Sequence, residues 1–471
     1  MRKATRLYAL LGVLLAVCIA AFSVSRYEEK KEQIKNSGEV ILEIPTDSVT
    51  ALSWTNESGT FSFTKDERWA YDGDSAFPVD EEKIHDLLEQ FASFAAAFAI
   101  DDVEDYAQYG LDEPVCTIHI TAGGESDTIE LGDFSKMDEQ RYVSIGDGKA
   151  YLVSHDPLDE FDAVLEDMIL DDTIPEFDTA EQLEFSGSEN YTVTRDEDGE
   201  SICEEDIYFT DGQPLDTDNV DTFLSAIRSL SLTDYVSYNV TDEELATFGL
   251  DDPELTITMA YSTKDSDGNV EDSGILLLNL SRNPEEVTAY EEAAEKDEED
   301  LPDVTCYVRV GQSQIVYEIS QSTYDRLTVV SYDTLRHQKL FTADFDTVTG
   351  IDVSLSGENH TFTYDPPEDK DDENAEGTWT YNGEEFDVDA LETALCALSA
   401  SGFTEKTPTG QEEISLTVHL DNEGFPTFTL TLYRLDGTNC IAAVDGKTVA
   451  LVSRSETVDL IEAVNGLTLG G

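Results

Sequence analysis

The sequence predicts an α+β chain: an N-terminal transmembrane helix followed by three tandem repeat units of mainly antiparallel sheet with helices packed on one face. Three observations lead there. An uncharged run stands near the start, one strand–turn–helix pattern recurs three times, and apolar residues alternate along the strands but return at i, i+3, i+4 in the segments between them.

Leu7 to Val24 carries no charge. Its 18 residues would span about 27 Å as a helix, close to the roughly 30 Å hydrocarbon core of a bilayer. Arg2, Lys3 and Arg6 precede it, and Arg26, Lys30, Lys31 and Lys35 follow. This layout suits an uncleaved signal anchor. A cleaved signal peptide near Ala20, Ala21 and Ser23, and a lipoprotein using Leu15-Ala16-Val17-Cys18, are the alternatives. Lys and Arg are balanced across the run, so they do not set orientation. The signal-like layout places the large domain outside the cell, with residues 1–36 as anchor and stalk.

The first repeat unit, residues 39–172, opens with strands Val49–Trp54 and Thr60–Lys65. Trp69-Ala70-Tyr71-Asp72-Gly73 forms an aromatic strand ending in a turn, and Phe77-Pro78-Val79-Asp80 leads into a helix capped by Asp80. Ile84, Leu87, Leu88, Phe91, Phe94, Ala95 and Phe98 mark that helix, read through Phe98. Tyr109-Gly110-Leu111-Asp112-Glu113-Pro114 then turns into strands Cys116–Ile120, Thr128–Leu131, Tyr142–Ile145 and Ala150–Val153. A short helix with Leu158, Phe161, Leu165 and Met168 closes the unit.

The second unit, 173–340, repeats this with Leu183–Phe185, Tyr191–Thr194, Ile207–Gly212, Pro214-Leu215-Asp216 and a helix bearing Val220, Phe223, Leu224, Ile227 and Leu230. Phe248-Gly249-Leu250-Asp251-Asp252-Pro253 repeats the turn. Its acidic insertion, 282–303, is expected as an exposed helix or loose loop. The third unit, 341–471, has Val348–Val353, Thr361–Tyr364, Thr378–Gly383, and a helix with Leu391, Ala394, Leu395 and Leu398. It lacks Gly-Leu-Asp-x-Pro but keeps four further strands and a final helix with Val458, Ile461 and Val464. Asp365–Asn374 is a second acidic loop.

Gly110-Leu111-Asp112-x-Pro114, its repeat Gly249-Leu250-Asp251-x-Pro253, the Leu131-Gly132 step and the Trp69-x-Tyr71-Asp72-Gly73 turn together resemble the bacterial family catalogued as "domain of unknown function 4340". The resemblance spans nearly all of the chain beyond the stalk. It implies one N-terminal membrane segment and an accessory role beside ABC-type transporter permeases and gliding-motility-type transporters. The third unit departs from the pattern.

Composition limits function. Lys and Arg number 27 against 103 Asp and Glu, a net charge of −76. Residues 1–36 hold seven basic and three acidic groups, so +4 stands at the start and −80 beyond. A polyanion of this size is not a nucleic-acid binder. Hydrophobic residues at 40% are enough for packed cores. Cys116, Cys203, Cys306, Cys396 and Cys440 are scattered, without Cys-x-x-Cys, and argue against a disulfide framework. His85, His119, His155, His337, His360 and His419 form no metal spacing. No nucleophile elbow or phosphate loop occurs. Asp265–Asp272 and Asp196–Gly199 are oxygen-rich but fail the EF-hand pattern and read as hairpin loops. Trp69, Trp379 and Tyr381 read as core anchors rather than a glycan platform.

No catalytic, metal or cofactor residue is therefore assigned, and no cofactor. The expected function is a non-catalytic extracytoplasmic interaction module on the bacterial cell membrane, single-pass, accessory to a transporter complex. Its partners would be the membrane, through the N-terminal helix, and a protein of that complex. The alternatives are a binding protein for divalent cations or cell-wall glycan, and a carboxylate-based hydrolase.

Overall fold

A computed structural model describes residues 38–296, 300–367 and 377–469. The expected anchor and most of the second acidic loop lie outside these residues. Among the described residues no helix is long and apolar enough to cross a membrane.

The described residues build three nine-stranded sheets, one from each repeat unit. In the first, the order is Glu39–Leu42, Phe94–Ile100, Ala150–Val153, Gln140–Ser144, Glu125–Ser135, Cys116–Ala122, Val49–Asn56, Gly59–Lys65 and Trp69–Tyr71. The second runs Tyr235–Ser237, Val316–Ile319, Cys306–Val310, Val270–Arg282, Leu255–Lys264, Thr179–Gly187, Asn190–Arg195, Tyr208–Thr210 and Gln213–Pro214. The third runs Ala400–Phe403, Lys447–Ser453, Asn439–Val444, Thr427–Arg434, Glu412–Leu420, Val348–Leu355, Glu358–Asp365, Thr378–Tyr381 and Glu384–Phe386. Eight strands thus recur in one order. The first sheet adds a strand at one edge, and the other two add theirs at the opposite edge.

Neighbouring strands pair antiparallel, joined mostly by tight turns, as in Thr179–Gly187 with Asn190–Arg195 and Glu412–Leu420 with Thr427–Arg434. Period two sets the core. Ile414, Leu416, Val418 and Leu420 point inward with Phe428, Leu430 and Leu432 across the ladder. Leu391, Ala394 and Leu395 from helix Asp389–Ala397, and Leu460 and Val464 from helix Arg454–Leu469, close the same core. Each fully buried Leu or Val contributes about 1.5–3 kcal/mol.

The described residues divide into two compact bodies. One runs to Asp172 and includes Ser237–Asn239; the other comprises Thr173–Val236 and everything from Val240 on.

Helix ends differ from the periodicity. The first helix, Glu81–Glu89, starts where Asp80 accepts from the Glu82 and Lys83 amides, as its sequence predicts. It stops at Glu89, and Phe94–Ile100 is a strand paired with Glu39–Leu42 and Ala150–Val153. Phe94 and Phe98 are four residues apart, a spacing that satisfies both the helical period and period two. Phe98 is in fact exposed. Likewise, Leu230 and Leu398 sit just past helices Thr217–Arg228 and Asp389–Ala397, yet are buried. The closing helix of the first unit is two pieces, Leu158–Phe161 and a 3₁₀ turn at Leu165–Met168. The insertion forms a helix at Pro284–Glu295, capped by Asn283, while Arg282 ends a long strand.

The Gly-Leu-Asp-x-Pro turns cap short helical segments. Gly110 follows the 3₁₀ turn Tyr106–Tyr109 at φ 67°, and Gly249 follows helix Asp242–Thr247 at φ 71°. A Cβ on Gly110 would lie 2.7 Å from Asp133 Cγ and 2.9 Å from the Asp133 nitrogen. Leu111 and Leu250 plug the core behind each turn. Gly110→Ala is expected to cost about 1–3 kcal/mol in urea unfolding. Gly123→Ala, also at positive φ but with nothing within 4 Å of the new Cβ, serves as the milder control. Equal losses would show that the contact with Asp133 is irrelevant.

Candidate functional site

The structure gathers chemistry-bearing side chains where the second unit departs from the first. In the first unit strands Gly59–Lys65 and Trp69–Tyr71 are joined by Asp66–Arg68; in the second the equivalent segment, between Asn190–Arg195 and Tyr208–Thr210, runs from Asp196 to Ile207. This longer segment folds on itself. Ser201 Oγ donates to Asp206 Oδ2 at 2.7 Å, the Cys203 amide donates to Ser201 Oγ at 3.2 Å, and the Asp206 amide donates to the Cys203 carbonyl at 3.2 Å.

His337 reaches this segment from 131 residues away. Its Nε2 lies 2.9 and 3.0 Å from the two Asp206 carboxylate oxygens. Its Nδ1 lies 3.4 Å from Asp216 Oδ2. Asp216 is held in turn as the cap of helix Thr217–Arg228, its Oδ1 accepting from the Asp218 and Asn219 amides. Cys203 Sγ, an Asp206 oxygen and a His337 ring nitrogen all lie within 4.8 Å of one another. Asp206 is only 5% exposed, while Cys203 and His337 are half-buried.

The electrostatics follow from this packing. Burial would lower the His337 pKa, but the hydrogen bond and charge of Asp206, with the charge of Asp216, outweigh it and hold the imidazole above its ordinary value. Burial raises the Cys203 thiol, and Asp206, Glu205 and Asp216 add to the rise. A thiol, a carboxylate and an imidazole converging here form a sulfur, oxygen and nitrogen donor set.

The repeat explains the scaffold. The Asp80 amide donates to the Met168 carbonyl, and the Asp216 amide donates to the Leu335 carbonyl. Two residues on from these carbonyls stand Leu170 and His337, so His337 takes the place of an exposed leucine in the first unit. In sequence His337, Cys203 and Asp206 are isolated. The available signal was a strand connection, Asp196 to Ile207, longer than its counterpart in the first repeat, read together with the equivalence of Asp80 and Asp216.

Four of the other histidines serve local pairs. His119 Nδ1 is 2.9 Å from Thr128 Oγ1, His419 Nε2 is 2.8 Å from Asp352 Oδ2, His360 meets the Tyr381 hydroxyl, and His85 lies 3.3 Å from Glu89. Trp69 and Trp379 are each 8% exposed, so they are core residues, while Tyr381 is half-buried. Asp265 sits in a hairpin loop between Leu255–Lys264 and Val270–Arg282. Its Oδ1 accepts from the Asn269 and Asp267 amides, and these bonds hold the carboxyl below its ordinary range. Glu254 pairs with Arg282 and accepts from Tyr324, so these three side chains satisfy one another; the Tyr191 hydroxyl in the same pocket has no hydrogen-bond partner among the described residues.

Among the described residues five cysteines are free. Burial pushes the Cys116 thiol up to about 12 and Cys306 up to about 11. Iodoacetamide at neutral pH should therefore leave Cys116 and Cys306 unmodified in the folded protein and label both in urea. Labelling of either at native rates comparable to free cysteine would contradict this packing.

No curated protein and no solved structure matches the chain. A sequence model of a family described as a domain of unknown function (DUF4340) matches twice, over residues 69–253 and 208–417. The matches begin at Trp69 and Tyr208, the first residues of corresponding strands, so the family's own pattern recurs in step with the sheets. On these two matches, which together span most of the chain, the protein belongs to the family of the domain of unknown function DUF4340.

Proposed function

We propose that this chain is a non-catalytic, membrane-anchored extracytoplasmic interaction module, accessory to an ABC-type transporter complex of the bacterial cell membrane. The observation that carries the reading is the threefold use of one sheet order, with the repeated residues spent on turns and cores. Repetition of this kind multiplies surface without deepening a cavity, which suits contact with a large partner. The anchor is supported by the uncharged run Leu7–Val24, and the transporter context by what family resemblance implies. The net charge of −80 beyond residue 36 keeps the module clear of anionic headgroups, so contact with the membrane falls to the N-terminal segment.

In-cell crosslinking of the full-length protein, followed by mass spectrometry, tests it. Recovery of an integral membrane permease linked to the module is the expected result. Repeated recovery of no membrane-complex partner would overturn it.

A further inference from the structure

We infer that Cys203, Asp206 and His337 form a binding site for a divalent transition-metal ion of the zinc class, with Asp216 orienting the imidazole. This goes beyond the interaction role and does not depend on it.

The donor set decides the class. Zinc is held by thiolate at about 2.3 Å and by imidazole or carboxylate at roughly 2.0–2.2 Å, in tetrahedral geometry. Tetrahedral donors are then separated by roughly 3.4–3.6 Å. The His337 to Asp206 separation of 2.9 Å is slightly shorter, and the three donors already lie within 4.8 Å of one another. Small side-chain rotations therefore bring them to bonding distance. Calcium and magnesium prefer all-oxygen shells and would not use the thiol or the imidazole.

The surroundings match those of a ligated histidine. Such a ring presents one nitrogen to the metal and donates its other N–H to a carboxylate. His337 presents Nε2 to the site, and Nδ1 faces Asp216, which the helix N-terminus holds in place. Asp206 is steadied in the same way by Ser201. Three protein ligands leave a fourth position for water. Ser201 and His337 also line a groove of about 380 Å³ that provides a route for the ion. On binding, the metal displaces the Cys203 thiol proton and the proton between His337 and Asp206, and both pass to the buffer.

Titration of the full-length protein with Zn²⁺ and with Co²⁺ at physiological salt tests the site. One equivalent should bind, and Co²⁺ should give a thiolate charge-transfer band in the near ultraviolet. C203S should abolish that band and weaken Zn²⁺ at least about tenfold, and D216N should weaken it about 10–100-fold. Metal-free C203S should melt as the wild type does. H337Q should lose the bound equivalent; if it does not fold, the C203S comparison decides alone. Equal Zn²⁺ affinity in wild type and C203S, a Co²⁺ spectrum without the thiolate band, or only several weak equivalents that vanish with added salt would overturn the assignment. The trio would then be a structural ion pair beside a buried thiol.

Discussion

Trp54→Ala should lower the unfolding free energy of the first body by about 3–5 kcal/mol. Trp54 is fully buried in strand Val49–Asn56. Its ring stacks on Phe63 at 5.5 Å, tilts against Phe61 at 5.4 Å and meets Phe161 edge-on at 5.8 Å. Its Nε1 donates to the Ala163 carbonyl at 3.1 Å, tying strand Val49–Asn56 to the segment after helix Leu158–Phe161. Truncation removes the ring's transfer energy and leaves a cavity among rigid neighbours. Part of the polar loss is covered, because Asn56 Nδ2 also donates to that carbonyl at 3.0 Å. Urea unfolding followed by far-ultraviolet circular dichroism measures the change. A loss under about 1 kcal/mol would show that the site collapses freely and that Trp54 is not the anchor of this core.

Asp156→Ala should cost a similar amount, about 3–5 kcal/mol, for a different reason. Arg141 donates through Nε to Asp156 at 2.6 Å and through a terminal nitrogen to the Gly132 carbonyl at 2.6 Å. The two side chains are only 9% and 12% exposed. Removing the carboxylate strands a guanidinium that water cannot fully reach, and it also removes the acceptor for the Leu158 amide. The double replacement R141M/D156L should recover most of the loss, because it buries no unpaired charge. The exposed pair Lys149–Asp101 is the comparison; breaking it should cost less than about 1 kcal/mol and should depend on salt. If Asp156→Ala behaves like that surface pair, the buried ion pair does not hold the first sheet together.

Much of the fold was legible because its signals are local. The Asp-Gly and Asn-Gly turns, the Asp80 cap and the alternation in Glu412–Leu420 depend on residues within a few positions of one another. The strands that follow the helices were not legible. Phe94–Ile100, Tyr235–Ser237 and Ala400–Phe403 are short or rich in small residues, and each is defined by the distant strand it pairs with. Spacing also misled where it satisfied two periods at once, as Phe94 and Phe98 do. At the candidate site, the N-cap Asp216 was readable through its likeness to Asp80. Nothing in the local pattern of His337 separates it from five other isolated histidines.

The threefold repeat, the antiparallel α+β class, the family and the acidic coat can all be read from the residue order alone. These follow from composition and short-range periodicity, which the chain carries whatever its long-range contacts. Which edge strands complete each sheet, and which side chains converge, is set by long-range pairing. Cys203, Asp206 and His337 meet because sheet pairing folds back more than a hundred residues of chain. Their juxtaposition is a property of that closure and of no segment alone.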